Sequence, residues 1–390
     1  MGAGPAGLML AHLLYLHGIE SVIVEARSRR YIEERVRAGV LEQGTVDLLN
    51  ATGLGERMGR EGMHHHGIEI GFEGKRHRID IHELTGNAIT VYAQHEVIRD
   101  LVSARLVAGQ PIVFEAEDVA VRGLDTHEPV LSFSQGDTTT ELRCDFAAGC
   151  DGFHGICRTS IPDGVLRVYD RSYPFAWLGV LAEAAPSSDE LVYMQHDRGF
   201  ALFSMRSPTI TRLYLQCDPH EDIDEWSDDR IWNELMLRLA CDDGWKPNSG
   251  QIVQKSITPM RSFVVEPMQY GRLYLVGDSA HIVPPTGAKG MNLAISDARA
   301  LAHALAGFYK RGHNDLLAHY SEICLRRVWK IQRFSWWMTS VLHRFPDANA
   351  FDLRRQAAEL DYLTSSPVAA KSLAENYGGL PLDFNDEWGR

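Results

Sequence analysis

Three short runs carry residues whose types and spacing suit a bound nucleotide. Gly2, Gly4 and Gly7 form a Gly-x-Gly-x-x-Gly turn, and Glu25 ends the apolar run Val22-Ile23-Val24. Asp278 follows a second apolar run, Leu273-Tyr274-Leu275-Val276. Glycines at such a turn let the backbone approach a pyrophosphate, and the N-terminus of the following helix favours its charge. An acid about 20 residues on, at the end of the next strand, can accept hydrogen bonds from ribose hydroxyls. Each acid has a plainer reading: Glu25 as a solvent-facing strand end, Asp278 as a turn residue capping a helix. Taken together, the glycine turn and the two carboxylates describe a dinucleotide held at its pyrophosphate and along a second polyol chain. That fits FAD better than NAD.

These residues need a scaffold. Residues 8–18 read as an apolar helix stopped by Gly18, and 21–25 as a buried strand. Glycine turn, helix, strand and acid follow the order of a dinucleotide-binding βαβ unit. Its first strand should precede Gly2, where only Met1 stands. Either the start is truncated or the sheet lacks its central strand. Residues 67–93 alternate as an antiparallel excursion, 95–108 read as a helix, and 111–150 as strands. A second strand-rich stretch covers 172–217, followed by helices near 227–240, over 290–311, and over the aromatic-rich 314–343. The expected fold is mixed α/β. A Rossmann-like parallel-sheet FAD domain (1–170, with the excursion at 65–95) is interwoven with an antiparallel-sheet substrate domain (171–265). Residues 266–390 complete the FAD domain and add a helical, dimer-forming part.

Composition narrows the function. The 390 residues hold 39 basic and 52 acidic side chains, a net charge of -13. That disfavours nucleic acid and anionic membranes as partners. No apolar run approaches the roughly 20 residues of a membrane span. The six cysteines are scattered without metal-type pairs and read as reduced thiols, which suits a cytoplasmic setting. The triplet His64-His65-His66 lacks the spacing for a metal and reads as a solvated run, so no metal is expected.

Longer runs carry a resemblance. They are Arg35-Val36-Arg37-Ala38-Gly39-Val40-Leu41-Glu42-Gln43-Gly44, Gly149-Cys150-Asp151-Gly152-Phe153-His154-Gly155 and Arg261-Ser262-Phe263-Val264-Val265-Glu266-Pro267-Met268. Two more are His281-Ile282-Val283-Pro284-Pro285-Thr286-Gly287-Ala288-Lys289-Gly290 and Phe334-Ser335-Trp336-Trp337-Met338-Thr339-Ser340. The chain resembles the 4-hydroxybenzoate 3-monooxygenase (p-hydroxybenzoate hydroxylase) family of class A flavoprotein hydroxylases over nearly its whole length.

The resemblance implies hydroxylation of 4-hydroxybenzoate to 3,4-dihydroxybenzoate with O2 and NADPH, through a flavin C4a-hydroperoxide. It places the substrate carboxylate on Arg206, with Ser204, Met205 and Tyr214 beside it. Pro285 lies at the substrate. Tyr193 meets the phenol and hands its proton to Tyr377, and His65 links that pair to solvent. The expected FAD contacts are Gly2, Gly4, Gly7, Glu25, Arg35, Val36, Arg37, Ala38, Gly39, Val40, Gln94, Arg212, Asp278, Met291 and Asn292. Lys289 would add positive potential at the ring, with ordinary surface solvation as its alternative. Tyr31, Arg35, His154 and Arg261 match positions that meet the nicotinamide cofactor. Arg27, Arg29 and Arg30 add charge for a 2′-phosphate, although Ala26 replaces the arginine common after the ribose-binding acid. NADPH is therefore expected, with NADH still open. A homodimer is implied as well. The alternatives are a related hydroxylase of another phenolic acid, or a truncated flavin fold that catalyses nothing.

Overall fold

The computed structural model describes residues 1–390 apart from 38, 383, 385, 389 and 390. The first helix, Pro5–Leu16, has proline at its first turn and carries buried leucine, methionine and alanine. Gly18, at φ 70°, lets the chain turn away after it. The strand that follows is short, Ile23–Val24, and pairs in parallel with Ile112–Val113. A second parallel pair joins Ala147–Gly149 to Leu273–Leu275.

No strand precedes Gly2 among the described residues. Instead the backbone of Met1 and Gly2 lies between the two parallel pairs. The Met1 ammonium donates to the Ala148 carbonyl at 2.8 Å, and Cys150 N–H donates to the Met1 carbonyl at 2.8 Å. On the other side, Gly2 N–H donates to the Val24 carbonyl at 2.7 Å. These bonds tie Ile23–Val24 to Ala147–Gly149 where a strand would otherwise run.

The largest sheet has eight strands in the order His281–Ile282, Gln251–Glu266, Arg167–Glu183, Ile210–Cys217, Ala201–Ser207, Val192–Met194, Gly67–Phe72 and Lys75–Asp80. Its pairs are antiparallel except the one joining Val192–Met194 to Gly67–Phe72. The excursion after residue 65 is thus a hairpin that completes the edge of this sheet. From Phe175 to Ala182 every residue of the central strand is buried, so both of its faces are covered and the run reads as continuously apolar.

Two large apolar cores result, with a small third around Val24, Ala116, Leu131 and Phe133. One surrounds Pro5–Leu16 and the long helix Gly290–Arg311; the other lies between the eight-stranded sheet and the C-terminal helices. The aromatic-rich stretch is not one helix: Asp315–Ala318 ends at His319 and Tyr320–Leu342 follows. This second helix spans both cores, giving Val328 and Ile331 to the first and Phe334 and Met338 to the second. Helices Ala350–Ser365 and Pro367–Gly378 close the chain's far end.

Candidate active site

The three glycines of the first turn do three different jobs. Gly2 sits at φ 98°, and a Cβ there would lie 2.3 Å from the Cys150 carbonyl oxygen. A Cβ on Gly7 would lie 2.0 Å from the Gly2 oxygen. Both are demanded by packing and backbone shape. Around Gly4 a Cβ would meet nothing within 4 Å. That open face lies at the N-cap of Pro5–Leu16, a helix with no side-chain cap. Its first amides are left to a ligand, and the helix dipole favours an anionic one. Glu25 stands beside this turn, accepting from Ala3 N–H and Arg27 N–H, each at 2.7 Å.

Asp278 is exposed, between buried Gly277 and Ser279. Burial pushes its carboxyl above the usual carboxylate range, with His281 and Arg37 opposing that. Gly290 begins the helix Gly290–Arg311, whose N-terminus carries Met291 and Asn292. The Asn292 side chain is fully engaged in the protein. Its Oδ1 accepts from Glu42 N–H and the Thr45 hydroxyl, and its Nδ2 donates to the Val40 and Ala288 carbonyls. Any cofactor contact there must come from the backbone. Gly39 packs so close that a Cβ would lie 2.0 Å from the Tyr92 oxygen. Arg35 and Arg37 are exposed, Val36 and Gln94 half-buried, and Val40 buried. Ala38 lies outside the described residues.

The sheet brings the expected substrate residues together. Arg206 and Ser204 lie on Ala201–Ser207, and Tyr214 and Arg212 on the paired strand Ile210–Cys217. Arg206 Nη1 donates to the Met205 carbonyl at 2.7 Å and to Ser204 Oγ at 3.3 Å. Nη2 reaches the Tyr214 hydroxyl at 3.5 Å, while the buried Nε has no hydrogen-bond partner. Met205 contributes its carbonyl only, since its side chain is in the core. The Nε/Nη2 edge of Arg206 is the edge that grips a carboxylate side-on. Burial raises the cost of ionising Tyr214, but Arg206 and Arg212 outweigh it and draw its hydroxyl below the ordinary tyrosine range.

Tyr193 and Tyr377 come from residues 184 apart and meet at 2.5 Å between hydroxyls. Each is only 1% exposed. Burial pushes both phenols well above their usual range, and for Tyr193 its partner's hydroxyl adds to this. Pro285, on the turn Pro285–Gly287, is exposed.

The histidine run is not uniformly solvated. Strand pleating over Met63–His65 exposes His64 and buries His65 to 2% exposure. Neither ring nitrogen of His65 has a partner, and burial lowers its imidazole to about 4. The surface reading of Lys289 is also overturned. Lys289 is 1% exposed and donates to Glu42 Oε1 at 2.7 Å and to the Tyr377 carbonyl at 2.8 Å. Arg327 Nη2 donates to the other Glu42 oxygen at 2.7 Å. Glu42 and Arg327 went unrecognised because sequence spacing gives no hint that positions so far apart share one buried carboxylate.

The nicotinamide-facing residues are arranged less simply. Guanidinium groups of Arg27 and Arg35 lie 5.5 and 5.6 Å from the Tyr31 ring centroid. Arg29 and Arg30 do not add bare charge, since Glu33 and Glu34 pair with them one helical turn on. His154 is exposed, and Arg261 pairs with Asp170 while lying 4.5 Å from the Phe153 ring. No group of metal-binding side chains occurs among the described residues. Open amides at Gly4, an exposed Asp278 and an unpartnered Arg206 Nε together fit a flavin dinucleotide with an aromatic acid beside it.

The chain is similar to known proteins to differing degrees. The model of a family described as FAD binding domain matches residues 1–335. A p-hydroxybenzoate hydroxylase from Acinetobacter baylyi is 49% identical over 385 residues, covering 98% of this chain and 95% of that protein. A rifampicin monooxygenase from Streptomyces venezuelae is 25% identical over 78% of this chain and 63% of its own length. Among solved structures, a p-nitrophenol 4-monooxygenase from Pseudomonas putida superposes with a TM-score of 0.81 at 18% identity, over 97% of each chain. This last likeness speaks for the fold.

Proposed function

The chain belongs to the p-hydroxybenzoate hydroxylase family of FAD-binding proteins, and from that premise we propose how its own residues do the work. The protein is an FAD-dependent monooxygenase that hydroxylates 4-hydroxybenzoate at C3, using O2 and NAD(P)H. The single observation that carries this reading is the pairing of Tyr377, on the helix Pro367–Gly378, with Tyr193, on the same sheet as the Arg206 clamp. When bound, FAD supplies a carrier that takes two electrons from the nicotinamide and activates dioxygen.

Gly4, the amides of Pro5–Leu16, Glu25 and Asp278 hold that cofactor, with Arg37, Gln94, Arg212 and the backbone at Met291 and Asn292 around it. The Nε/Nη2 edge of Arg206 takes the substrate carboxylate, with Ser204 holding Nη1 from behind and the Tyr214 hydroxyl beside Nη2 to meet the carboxylate. This points the phenol toward Tyr193. Ortho attack is faster on a phenolate than on a phenol, so the phenolic proton must leave. Tyr193 accepts it while passing its own proton to Tyr377 across the 2.5 Å contact. Because burial disfavours ionising either tyrosine, the pair conducts the proton rather than storing its loss. His65, neutral near pH 7, can accept on one ring nitrogen and donate from the other, leading the proton toward the exposed His64 and His66. Pro285 and the turn around it help keep the site dry.

NADPH is proposed over NADH, with Tyr31, Arg27 and Arg35 on one side and His154 and Arg261 on the other. A homodimer is proposed from the apolar side chains left at the surface of the C-terminal helices. Phe351 is 74% and Val368 75% exposed there, with Trp336 and Tyr362 nearby in sequence. A cytoplasmic setting is proposed from the six unpaired cysteines. The flavin-binding unit, the substrate sheet and the helical C-terminal part are proposed to divide near residues 170 and 265, with the hairpin after residue 65 serving the substrate sheet.

The test is anaerobic mixing of the holoenzyme with NADPH or NADH, with and without 4-hydroxybenzoate and other hydroxybenzoates. Flavin reduction should quicken with 4-hydroxybenzoate above the others, and admitting air should yield 3,4-dihydroxybenzoate. A stronger response to another phenolic acid would move the substrate assignment to that acid.

A further inference from the structure

Behind Asp278 lies a buried charge arrangement that the proposed chemistry does not use. Asp297 sits on the helix Gly290–Arg311, and His281 just beyond the turn Gly277–Ser279 that presents Asp278. Both side chains are almost wholly buried. One oxygen of Asp297, Oδ2, takes Gly277 N–H at 2.9 Å and His281 Nε2 at 2.6 Å. It therefore grips the turn on both flanks of Asp278. The rest of the turn is held as firmly. Ser279 Oγ donates to the Gly149 carbonyl at 2.5 Å and accepts from Val276 N–H at 3.0 Å. Arg158 Nη1 donates to the Ser279 carbonyl at 2.9 Å. Gly277, at φ 67°, faces Ala294 so closely that a Cβ would lie 2.9 Å from the alanine Cβ. In this rigid turn Asp278 alone is left exposed.

We propose that Asp297 and His281 are positioning residues for the cofactor carboxylate: a buried ion pair that fixes the Asp278 turn to the helix Gly290–Arg311 and sets a cation behind Asp278. It rests on the FAD-holding role of Asp278 proposed above. A buried imidazole on its own would be neutral, and burial does act to lower His281. The Asp297 carboxylate outweighs that and holds the imidazole above its ordinary range. His281 in turn draws down the Asp278 carboxyl, which burial pushes up; Arg37 acts with His281, and Asp297 itself opposes them more weakly. The other groups facing this cluster are Arg37, Arg158 at the Ser279 carbonyl, Cys150 at the strand end, and Tyr320 and Cys324 on the helix Tyr320–Leu342. Arg37 and Arg158 are the permanent cations among them. Of the cations acting on Asp278, His281 has the larger effect and Arg37 the smaller. An ionised Asp278 accepts hydrogen bonds from cofactor hydroxyls; a protonated one loses part of that capacity.

Asp297→Asn tests this without removing the geometry. The amide oxygen can still accept from Gly277 N–H and from a neutral His281 Nε2–H, so the turn keeps its shape while the charge is lost. Purified holoenzyme is diluted, and released FAD is read by its fluorescence at equilibrium, near about pH 6 and about pH 8.5 to bracket the ordinary imidazole range. Asp297→Asn is expected to hold FAD roughly 10- to 100-fold more weakly at the lower pH, the size of a lost charge-assisted hydrogen bond. At the higher pH the deficit should shrink to about threefold, because wild-type His281 also gives up its proton as pH rises through its raised range. His281→Gln should give the same pattern, and Asp278→Asn should bind weakly without pH dependence. In the double variant, Asp297→Asn should add little to Asp278→Asn. Unchanged FAD retention in Asp297→Asn, an equal loss at both pH values, or full additivity in the double variant would each overturn the inference. Should Asp297→Asn fail to fold, His281→Gln carries the same decision. The readout needs no aromatic substrate. A wild-type protein that keeps FAD but ignores 4-hydroxybenzoate would sink the proposed activity and not this pair.

Discussion

Replacing Arg206 by alanine removes the side chain on which substrate recognition is proposed to turn. Its guanidinium is already committed on one side, with Nη1 bonded to the Met205 carbonyl at 2.7 Å and to Ser204 Oγ at 3.3 Å. The other edge is nearly unspent: Nε has no partner and Nη2 has a long contact of 3.5 Å to Tyr214. An incoming carboxylate thus gains two charge-assisted bonds at no cost to existing ones. Each is worth about 1.5–3 kcal/mol where solvent is excluded. Part of that sum goes to desolvating the carboxylate, and Tyr214 keeps one contact in the variant. A net loss of about 3 kcal/mol is expected, or roughly 150-fold in the dissociation constant. Arg206→Lys supplies a point charge for one bond only and should lose about 1.5 kcal/mol, roughly tenfold. Titrating 4-hydroxybenzoate into the holoenzyme and following the flavin spectrum gives both constants. The neutral 4-hydroxybenzamide serves as the comparison. Wild type should prefer the acid strongly, and Arg206→Ala should prefer neither. If the variant weakens acid and amide equally, or leaves the acid's constant alone, the guanidinium does not grip the carboxylate.

Three further outcomes follow from the geometry. Tyr193→Phe removes the hydroxyl that contacts Tyr377 at 2.5 Å; flavin reduction by NADPH should persist while product per NADPH falls about 10²-fold and hydrogen peroxide accumulates. Coupled product formation in that variant would disprove the relay. Gly4→Ala adds a methyl where nothing lies within 4 Å, so thermal stability should hold while FAD affinity drops about tenfold or more; Gly7→Ala, with its Cβ 2.0 Å from the Gly2 oxygen, should instead cost about 3 kcal/mol of stability. Equal melting temperatures for the two variants would contradict this division of roles. His65 binds its proton at about 4 when folded against 6.5 unfolded, so the unfolded chain holds more protons between those values and stability falls on acidification through that window. Its share is about 3 kcal/mol, and urea unfolding of His65→Gln should show an acid-induced loss smaller by about that amount.

Some of this protein is written in short stretches of its sequence, and some is not. The glycine turn, the apolar helix after it, the strand-end acid and the helix Gly290–Arg311 are local features. They follow from φ > 0 tolerance, helix-forming residues and apolar runs, all of which act over a few positions. The candidate clamp came from the family resemblance, because a strand arginine by itself reads as half of a surface ion pair; Ser204 and Arg206 lie on one strand and Tyr214 on the next. The roles of Tyr193 and Tyr377 came from family resemblance, because nothing local distinguishes either from an ordinary buried tyrosine.

Tertiary packing alone decided the rest. The hairpin Gly67–Phe72 and Lys75–Asp80 reads as a self-contained excursion, and only long-range pairing with Val192–Met194 makes it an edge of the eight-stranded sheet. In the run His64-His65-His66, one histidine is buried and the others are not, because pleating and the covering layer choose between them. Lys289 looks like a surface residue until Glu42, Arg327 and the Tyr377 carbonyl arrive from distant positions to satisfy it. The same holds for His281 and Asp297, whose contact depends on a helix docking beside a turn. A buried charge is tolerable only with its partners in place, and sequence distance carries no information on which partners those will be.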